Sequence, residues 1–353
     1  MQGTPLARHL GFRPAGLAAP WLSARPPCGA LAFGAPPAYI ARRRTGDGVD
    51  AAQRKGLYGN PIDGLKLDVA DSVQLSPLVP GAEALDGLPE GALGALVMVA
   101  PPGTVERRHA MALGLRALAP GAPFTIVAPK DKGGSRLGDE LAAFGCGVDD
   151  TGKRHHRVCT GLRPAALEGI EDAVAAGAPR LVEALGLWSQ PGIFSWDRLD
   201  PGTALLIETL PALAGRGADF GCGVGVLAHA VLKAPKVKGV TLIDIDRRAV
   251  EAARRNVDDP RAEVRWADLR TGPGGLANLD FVVMNPPFHL AGSEDQALGQ
   301  GFVATAAKAL RRGGALWLTA NRHLPYEGAL KPLFARVELR AEARGFKVFE
   351  AHR

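Results

Sequence analysis

The segment from Asn285 to His289 has the functional groups needed to hold an amine in a reactive orientation. It reads NPPFH and follows the apolar run Phe281–Met284. The exocyclic amine of a nucleobase is a poor nucleophile because its lone pair is delocalised into the ring. The side-chain oxygen of Asn285 and the carbonyl oxygen of Pro286 could accept its two hydrogens, which would aim the lone pair outward.

The rest of this segment supports the same interpretation. Pro286 and Pro287 fix the backbone torsion φ and so stiffen the turn, while the ring of Phe288 offers a face on which a base can stack. A proline-rich end of a strand is the alternative, but it requires neither an asparagine before the prolines nor an aromatic ring after them. We therefore predict Asn285, Pro286, Pro287 and Phe288 as catalytic residues, whereas His289 is more simply explained as an ordinary loop histidine.

A second segment, Asp219 to Gly225, reads DFGCGVG and precedes an apolar helical stretch from Val226. Glycines at alternate positions allow a tight turn and the close approach of a ligand to the backbone. The spacing differs from the G-x-G-x-x-G of dinucleotide-binding proteins, and a purely structural turn is the alternative. We predict that this loop binds a cofactor. The predicted contacts are Gly221, Cys222, Gly223 and Gly225, together with Asp219, whose carboxylate could accept from an ammonium group.

Two further aspartates each follow a candidate strand. Asp244 lies 19 residues after Gly225, where its carboxylate could accept both hydroxyls of a ribose; a helix N-cap is the alternative, but Asp246 is better placed for that role. Asp268 follows the next strand and could accept from the amine of an adenine, or it could be an aspartate of a surface turn. Asp244 and Asp268 therefore complete the predicted cofactor site.

These residues need a sheet that brings the ends of several strands together. Short apolar runs alternate with helical stretches such as Arg247–Val257 through the second half of the chain. This alternation predicts a doubly wound α/β sheet, with ligands at the carboxyl ends of its strands. The candidate strands are Ala218–Phe220, Val240–Ile243, Val264–Trp266, Phe281–Met284 and Ala315–Thr319.

The first half of the chain contains a shorter version of the same pattern. The strand Ala95–Val99, the helix Glu106–Leu118 and the strand Phe124–Ala128 predict a βαβ unit with parallel strands. The first of these strands and the residues after it resemble the segment that leads into Asn285, but Ala100 stands in the position of that asparagine. Because this half also has no glycine-rich loop after an early strand, we predict an internal repeat whose first copy is degenerate.

The charge of the chain is concentrated at its beginning. The 353 residues have a net charge of +6, and a basic chain suggests a nucleic-acid partner. However, residues 1–46 contain six arginines and no other charged residue, so the remaining 36 basic and 36 acidic residues balance. Residues 1–54 are rich in Arg, Pro and Gly, which predicts a disordered tail; a targeting segment and a misplaced start codon are the alternatives.

Residues 55–180 are predicted as the degenerate domain and residues 181–353 as the catalytic domain.

The segments Asp219 to Gly225 and Asn285 to Phe288, with Asp244 between them, resemble those of the class I S-adenosylmethionine-dependent methyltransferases. A closer resemblance is to the bacterial guanine-N2 methyltransferases that modify the RNA of the small or the large ribosomal subunit. The stretches that carry it are Gln190 to Ser195, Leu199 to Gly202, Asn321 to Tyr326, Phe346 to Val348 and, in the first half, Lys130 to Gly133.

This resemblance implies an α/β fold with two tandem Rossmann-like methyltransferase domains, the first degenerate and the second a seven-stranded catalytic domain. It implies S-adenosyl-L-methionine as the cofactor, guanine N2 of ribosomal RNA as the acceptor, and ribosomal RNA or a ribosomal subunit as the partner, in the cytoplasm and without a metal or a membrane. The alternatives are a protein-glutamine methyltransferase, which usually has Tyr in the position of Phe288, an adenine-N6 methyltransferase, and a non-catalytic RNA-binding assembly factor.

Overall fold

The computed structural model describes residues 54–287, 289–290, 293–294 and 296–353, which form two large β-sheets flanked by helices. Residues 1–53 of the predicted tail, and Phe288, therefore lie outside the described residues. Among the described residues, no helix is both long and apolar enough to cross a membrane.

The first sheet has six strands in the order β2-β1-β3-β4-β6-β5. The first four pair in parallel, whereas β6 runs antiparallel to both β4 and β5. Its strands are β1 (Lys55–Tyr58), β2 (Val73–Gln74), β3 (Ala95–Val99), β4 (Pro123–Pro129), β5 (Val148–Lys153) and β6 (His156–Leu162), and its helices are α1 (Thr104–Ala117), α2 (Leu137–Ala142) and α3 (Ile170–Gly177). The helix α1 packs on the sheet through Met111 and Leu115, which lie one turn apart and are both fully buried.

A hairpin of β7 (Arg180–Val182) and β8 (Leu187–Ser189) leads into the second sheet, which has seven strands in the order β11-β10-β9-β12-β15-β17-β16. Its strands are β9 (Gly215–Phe220), β10 (Val237–Asp244), β11 (Ala262–Trp266), β12 (Leu279–Met284), β15 (Leu310–Asn321), β16 (Arg336–Ala343) and β17 (Phe346–His352). A separate short hairpin contains β13 (His289–Leu290) and β14 (Ser293–Glu294). The helices are α4 (Pro201–Thr209), α5 (Val226–Leu232), α6 (Arg247–Asn256), α7 (Gln296–Ala309) and α8 (Tyr326–Leu330).

The topology of the second sheet determines where a ligand can bind. From β9 the chain continues outward through β10 and β11 on one side, and then returns to β12 on the other side. Phe220 at the end of β9 is in register with Met284 at the end of β12. The glycine loop and Asn285 therefore leave adjacent parallel strands at the point where the strand order reverses, which is the usual ligand site of such sheets.

The two sheets have the same topology except for one edge strand. In order and direction, the six strands of the first sheet match β10-β9-β12-β15-β17-β16 of the second, and only β11 has no counterpart. The strand β3 thus corresponds to β12, which places Ala100 at the position of Asn285. The predicted α/β fold with two tandem Rossmann-like units is confirmed, and so is the seven-stranded second sheet.

A buried ion-pair network joins the two halves. The guanidinium of Arg248, in α6, donates from Nη1 to Oε1 of Glu106 in α1 at 2.7 Å, and from Nη2 to Oδ2 of Asp246 at 2.8 Å. All three side chains are at most 13% exposed. Burial raises the pKa of Glu106, and the positive charge of Arg248 opposes that shift. We call the three side chains the Arg248 network.

Candidate functional site

The glycine loop is fixed to the neighbouring strand by its backbone. The N–H groups of Gly221 and Cys222 both donate to the carbonyl of Ile243 in β10, at 2.9 and 3.0 Å. Gly223 and Gly225 both have positive φ, and a Cβ at Gly225 would lie only 2.7 Å from a methyl group of Val257. A Cβ at Gly223 would meet nothing within 4 Å, so this side of the loop is open to a ligand.

Asp244 lies at the end of β10 and contacts this loop directly. Its Oδ2 accepts from the N–H of Gly223 at 2.8 Å, and its Oδ1 accepts from the N–H of Asp246 at 2.9 Å. A carboxylate has about four acceptor sites, so Asp244 retains capacity to accept from a ribose hydroxyl. Burial raises the pKa of Asp244 to about 6. Asp246, not Asp244, caps α6 by accepting from the N–H of Arg248, as the sequence indicated.

Asp219 lies in β9 beneath the glycine loop. Its side chain is fully buried, and neither carboxylate oxygen has a hydrogen-bond partner among the described residues. Burial, and secondarily the negative charge of Asp244, raise the pKa of Asp219 to about 8. A buried carboxyl group without a partner favours a positive charge nearby, because a cation would offset the cost of ionising it.

The side chain of Asn285 is held in one orientation by residues at the start of α4. Its Nδ2 donates to Oδ2 of Asp200 and to Oγ1 of Thr203, both at 2.9 Å. Asp200 is the N-cap of α4 and also accepts from the N–H of Thr203 at 2.7 Å. Because the amide nitrogen donates to both members of this pair, the amide oxygen is the atom of the Asn285 side chain that is left to accept from another group. The orientation is the one needed to accept from an amine.

The remaining residues of the segment are described only in part. Pro286 is buried and Pro287 is half-buried, directly after the end of β12. Phe288 lies outside the described residues, so its role as a stacking surface stays a prediction.

A cavity lies between the glycine loop, Asn285 and the start of α4. Its walls include Gly221, Cys222, Gly223, Asp200, Thr203 and Asn285. Burial raises the pKa of the Cys222 thiol well above its ordinary value, so this group lines the cavity in its neutral form. The cavity therefore brings the predicted cofactor loop and the predicted catalytic asparagine into contact with one space.

The mouth of this cavity carries an exposed aromatic ring and a cation. Phe194 is 59% exposed and the side chain of Arg198 is 75% exposed, and both line the cavity. Ser195 between them adopts positive φ, which is uncommon for a residue other than glycine. These residues were not predicted from the sequence as site residues, although an exposed phenylalanine beside a cavity is a typical contact for a flat ligand.

Asp268 does not line this cavity. Both of its oxygens accept from the guanidinium of Arg270, and it caps a single turn of 3-10 helix that follows β11. Arg270 lowers the pKa of Asp268 as a result. These contacts agree with the turn interpretation, and a role toward adenine stays a prediction.

Sequence reasoning missed Asp200 and Thr203. The dipeptide Asp200-Pro201 is a recognisable helix start, since aspartate is a favoured N-cap and proline a favoured first helical residue. That signal predicts the cap but not the partner, because Asn285 is 85 residues away along the chain.

Known proteins match this chain in sequence and in fold. The family model of the methyltransferase small domain matches residues 184–350. The ribosomal RNA small subunit methyltransferase C of Pseudomonas entomophila is 33% identical over 279 residues, covering 76% of this chain and 81% of that protein. The protein of the same name from Pseudomonas paraeruginosa is 33% identical over 315 residues, covering 84% of this chain and 94% of that protein.

A solved structure supports the fold across both halves. A T. thermophilus 16S rRNA N2 methyltransferase in complex with AdoMet and guanosine matches with a TM-score of 0.68 at 23% sequence identity. The match covers 85% of this chain and 88% of that chain. The two-sheet architecture is thus shared over nearly the whole length of both proteins.

Proposed function

The chain belongs to the family of the ribosomal RNA small subunit methyltransferase C proteins, and from this premise we propose that it methylates N2 of a guanine in ribosomal RNA. The methyl donor is S-adenosylmethionine. The observation that carries the proposal is the orientation of Asn285, a residue of the cavity wall whose amide nitrogen donates to Asp200 and Thr203, so that the amide oxygen is the atom left to accept from an exocyclic amine.

The loop and its acidic neighbours fit this cofactor. Gly223 leaves room for close approach, and Asp244 retains acceptor capacity for ribose hydroxyls. Asp219 offers a buried carboxyl group, which a bound cation would help to ionise, beneath a loop that opens onto the cavity. Bound S-adenosylmethionine supplies a methyl group on a sulfonium that is already a good leaving group, so the transfer requires no metal. We further propose that Cys222 and Gly221 contact the cofactor through their backbone and that Asp268 contacts the adenine.

Residues of the protein hold the acceptor amine in position. The amide oxygen of Asn285 and the carbonyl oxygen of Pro286 accept the two hydrogens of the amine and stabilise the positive charge that develops on its nitrogen. Pro287 stiffens this turn and Phe288 stacks on the base. The target guanine must leave its stack to reach the cavity, and the exposed ring of Phe194 with the nearby guanidinium of Arg198 supports contact with a base and a phosphate.

The proposed partner is ribosomal RNA, either free or within a ribosomal subunit, in the cytoplasm. Labelled S-adenosylmethionine incubated with RNA, protein and DNA from cells that lack this protein tests the acceptor class. We expect label in ribosomal RNA, at N2 of guanine after digestion to nucleosides. Label in protein alone would favour the glutamine methyltransferase instead, and label in DNA would favour the adenine-N6 enzyme.

The role of Asn285 is tested by Asn285→Ala. We expect methyl transfer to fall by at least about a hundredfold, because a group that stabilises developing charge is lost. The dissociation constant of S-adenosylmethionine should be nearly unchanged, since this residue faces the acceptor. Asn278→Gly, at an exposed asparagine with positive φ, is the matched control and should retain full activity. Full activity of the Asn285 variant would refute the assignment.

A further inference from the structure

We propose that Asp200 and Thr203 set the orientation of the Asn285 amide and are therefore positioning residues for the acceptor amine. This inference rests on the proposed function, because it concerns the same amine. It adds two residues at the start of α4, which precedes the glycine loop, to the residues that position the acceptor amine.

An amide side chain is nearly symmetric in shape but not in hydrogen bonding. Rotation by 180° about the last bond of asparagine exchanges its oxygen and its NH₂ group with little change in shape. In one orientation Asn285 offers an acceptor to the incoming amine, and in the other it offers two donors that oppose the donors of the amine. The reaction needs the first orientation, so a group that selects it contributes to the rate.

The surroundings of Asn285 select that orientation. An ionised carboxylate only accepts hydrogen bonds, so Asp200 must face the NH₂ group of Asn285. The contact from Nδ2 of Asn285 to Oδ2 of Asp200 is 2.9 Å, and Nδ2 also lies 2.9 Å from Oγ1 of Thr203. The carboxylate penalises the flipped amide, whose oxygen would lie against it, whereas the Thr203 hydroxyl accepts from Nδ2 and so holds the observed orientation in place.

The start of α4 keeps these two acceptors in place. The same Oδ2 of Asp200 accepts from the N–H of Thr203 at 2.7 Å, and Pro201 begins the helix with a fixed φ. A Cβ at Gly202 would lie 2.6 Å from the ring of Phe346 in β17, so the helix packs tightly on the sheet at this point. The orientation of Asn285 is thus linked to the packing of a whole helix.

Paired substitutions separate this role from a structural one. Asp200→Ser keeps a capping oxygen but is one atom shorter, so it no longer reaches Asn285. We expect kcat to fall about tenfold, which is the effect of losing one net hydrogen bond, with the melting temperature and the cofactor dissociation constant unchanged. Asp200→Asn keeps an oxygen at the position of Oδ2 and should retain activity within about threefold.

A second pair tests the hydroxyl. Thr203→Val has the same shape but no acceptor, and we expect it also to lower kcat about tenfold. Thr203→Ser keeps the hydroxyl and should restore activity. In the Asn285→Ala background, Asp200→Ser should have no further effect, because there is no amide left to orient.

Two results would overturn the inference. Normal kcat in both Asp200→Ser and Thr203→Val would refute it, and so would a loss confined to cofactor binding, which would mean that Asp200 contacts the cofactor instead. If the unmodified protein places no methyl group on RNA, the proposed function fails, and this inference fails with it. If the unmodified protein and Asn285→Ala behave as expected but the Asp200 and Thr203 variants do not, only the inference fails.

Discussion

At the scale of single residues, the buried carboxyl group of Asp219 makes the stability of the protein depend on pH. Its pKa is raised from an ordinary value of 3.8 to about 8 by burial and by the charge of Asp244. Between about pH 4 and pH 8 the unfolded chain has released this proton, whereas the folded protein still holds it. Stability therefore falls as the pH rises through this window, because the folded state binds more protons.

Asp219→Asn should remove this dependence. The amide has nearly the shape of the protonated acid but cannot ionise, so the variant gains stability relative to the original protein as the pH rises. We expect the difference in the free energy of unfolding to grow by at least about 1 kcal/mol between about pH 5 and pH 7. Urea denaturation of the ligand-free protein measures it. The exposed control Asp63→Asn should show a difference that does not change with pH, and a constant difference for Asp219→Asn would contradict the prediction.

The types of the site residues could be predicted from the sequence, whereas their partners could not. Asn285, Asp244 and the glycines stand in local patterns whose chemistry is visible in a few consecutive residues. The contacts of Asn285 with Asp200 and Thr203 span more than 80 residues, so no local pattern records them. The structure places Asn285 and the glycine loop around one cavity because β9 and β12 are adjacent and end at the same edge of the sheet, whereas Asp268 does not line that cavity.

At the scale of elements, the glycine loop packs directly against the end of helix α6. Gly225 precedes α5 and lies against Val257, which follows the end of α6. Its φ of 91° is in the region that glycine alone adopts easily. The loop can therefore turn back over β9 only if position 225 has no side chain.

We expect Gly225→Ala to lower the free energy of unfolding by about 2–3 kcal/mol, because backbone strain adds to overpacking against Val257. The matched control is Gly274→Ala, which has positive φ but no atom within 4 Å of the added methyl group. It should cost only the strain, about 1 kcal/mol. Chemical denaturation compares the two, and equal losses would show that the contact with Val257 has no effect on stability.

Element boundaries show which sequence signals are dependable. The predicted strand Ala95–Val99 agrees with the observed bounds, and helix α1 begins two residues before and ends one residue before its predicted limits. The strand β15 is longer than predicted, since it includes Leu310 to Gly314. Charged residues interrupt the apolar pattern in this part of β15, so the sequence does not indicate a strand there. One of them, Arg311, pairs with Asp280 at 2.7 Å, which satisfies its charge at the edge of the core. Apolar runs therefore predict the centre of a strand better than its ends.

At the scale of the whole molecule, the Arg248 network makes the stability of the second half of the chain depend on the first half. Glu106 lies in the first unit, whereas Arg248 and Asp246 lie beside Asp244, the predicted cofactor contact. A largely buried cation that loses one of its two partners is costly, because its remaining charge is not compensated.

Glu106→Gln should therefore lower the free energy of unfolding by about 3 kcal/mol, as expected when one partner of a buried ion pair is removed. Thermal or chemical denaturation measures the change. The control is Glu263→Gln, which breaks an exposed pair with Arg265 and should change stability by less than about 1 kcal/mol. An equal, small effect of both substitutions would mean that the network does not stabilise the joint between the halves.

The six arginines within residues 1–46 account for the whole net charge of the chain. If they contact phosphates, removal of residues 1–46 should reduce the slope of log affinity for RNA against log salt concentration by up to about five. Binding of a ribosomal RNA fragment at several salt concentrations, with the full chain and the trimmed chain, measures this slope. An unchanged slope would show that the basic character of the chain has no part in RNA binding.

The link between Glu106 and Arg248 also bears on how the two units can change during evolution. The first unit contains neither the asparagine nor the glycine loop, yet it supplies a carboxylate that neutralises a buried cation in the second unit. Loss of the first unit would expose this cation at a new surface and leave Asp246 as its one remaining partner in the network. Positions 106 and 248 are therefore expected to change together among relatives of this chain, with the opposite charges retained or both lost at once.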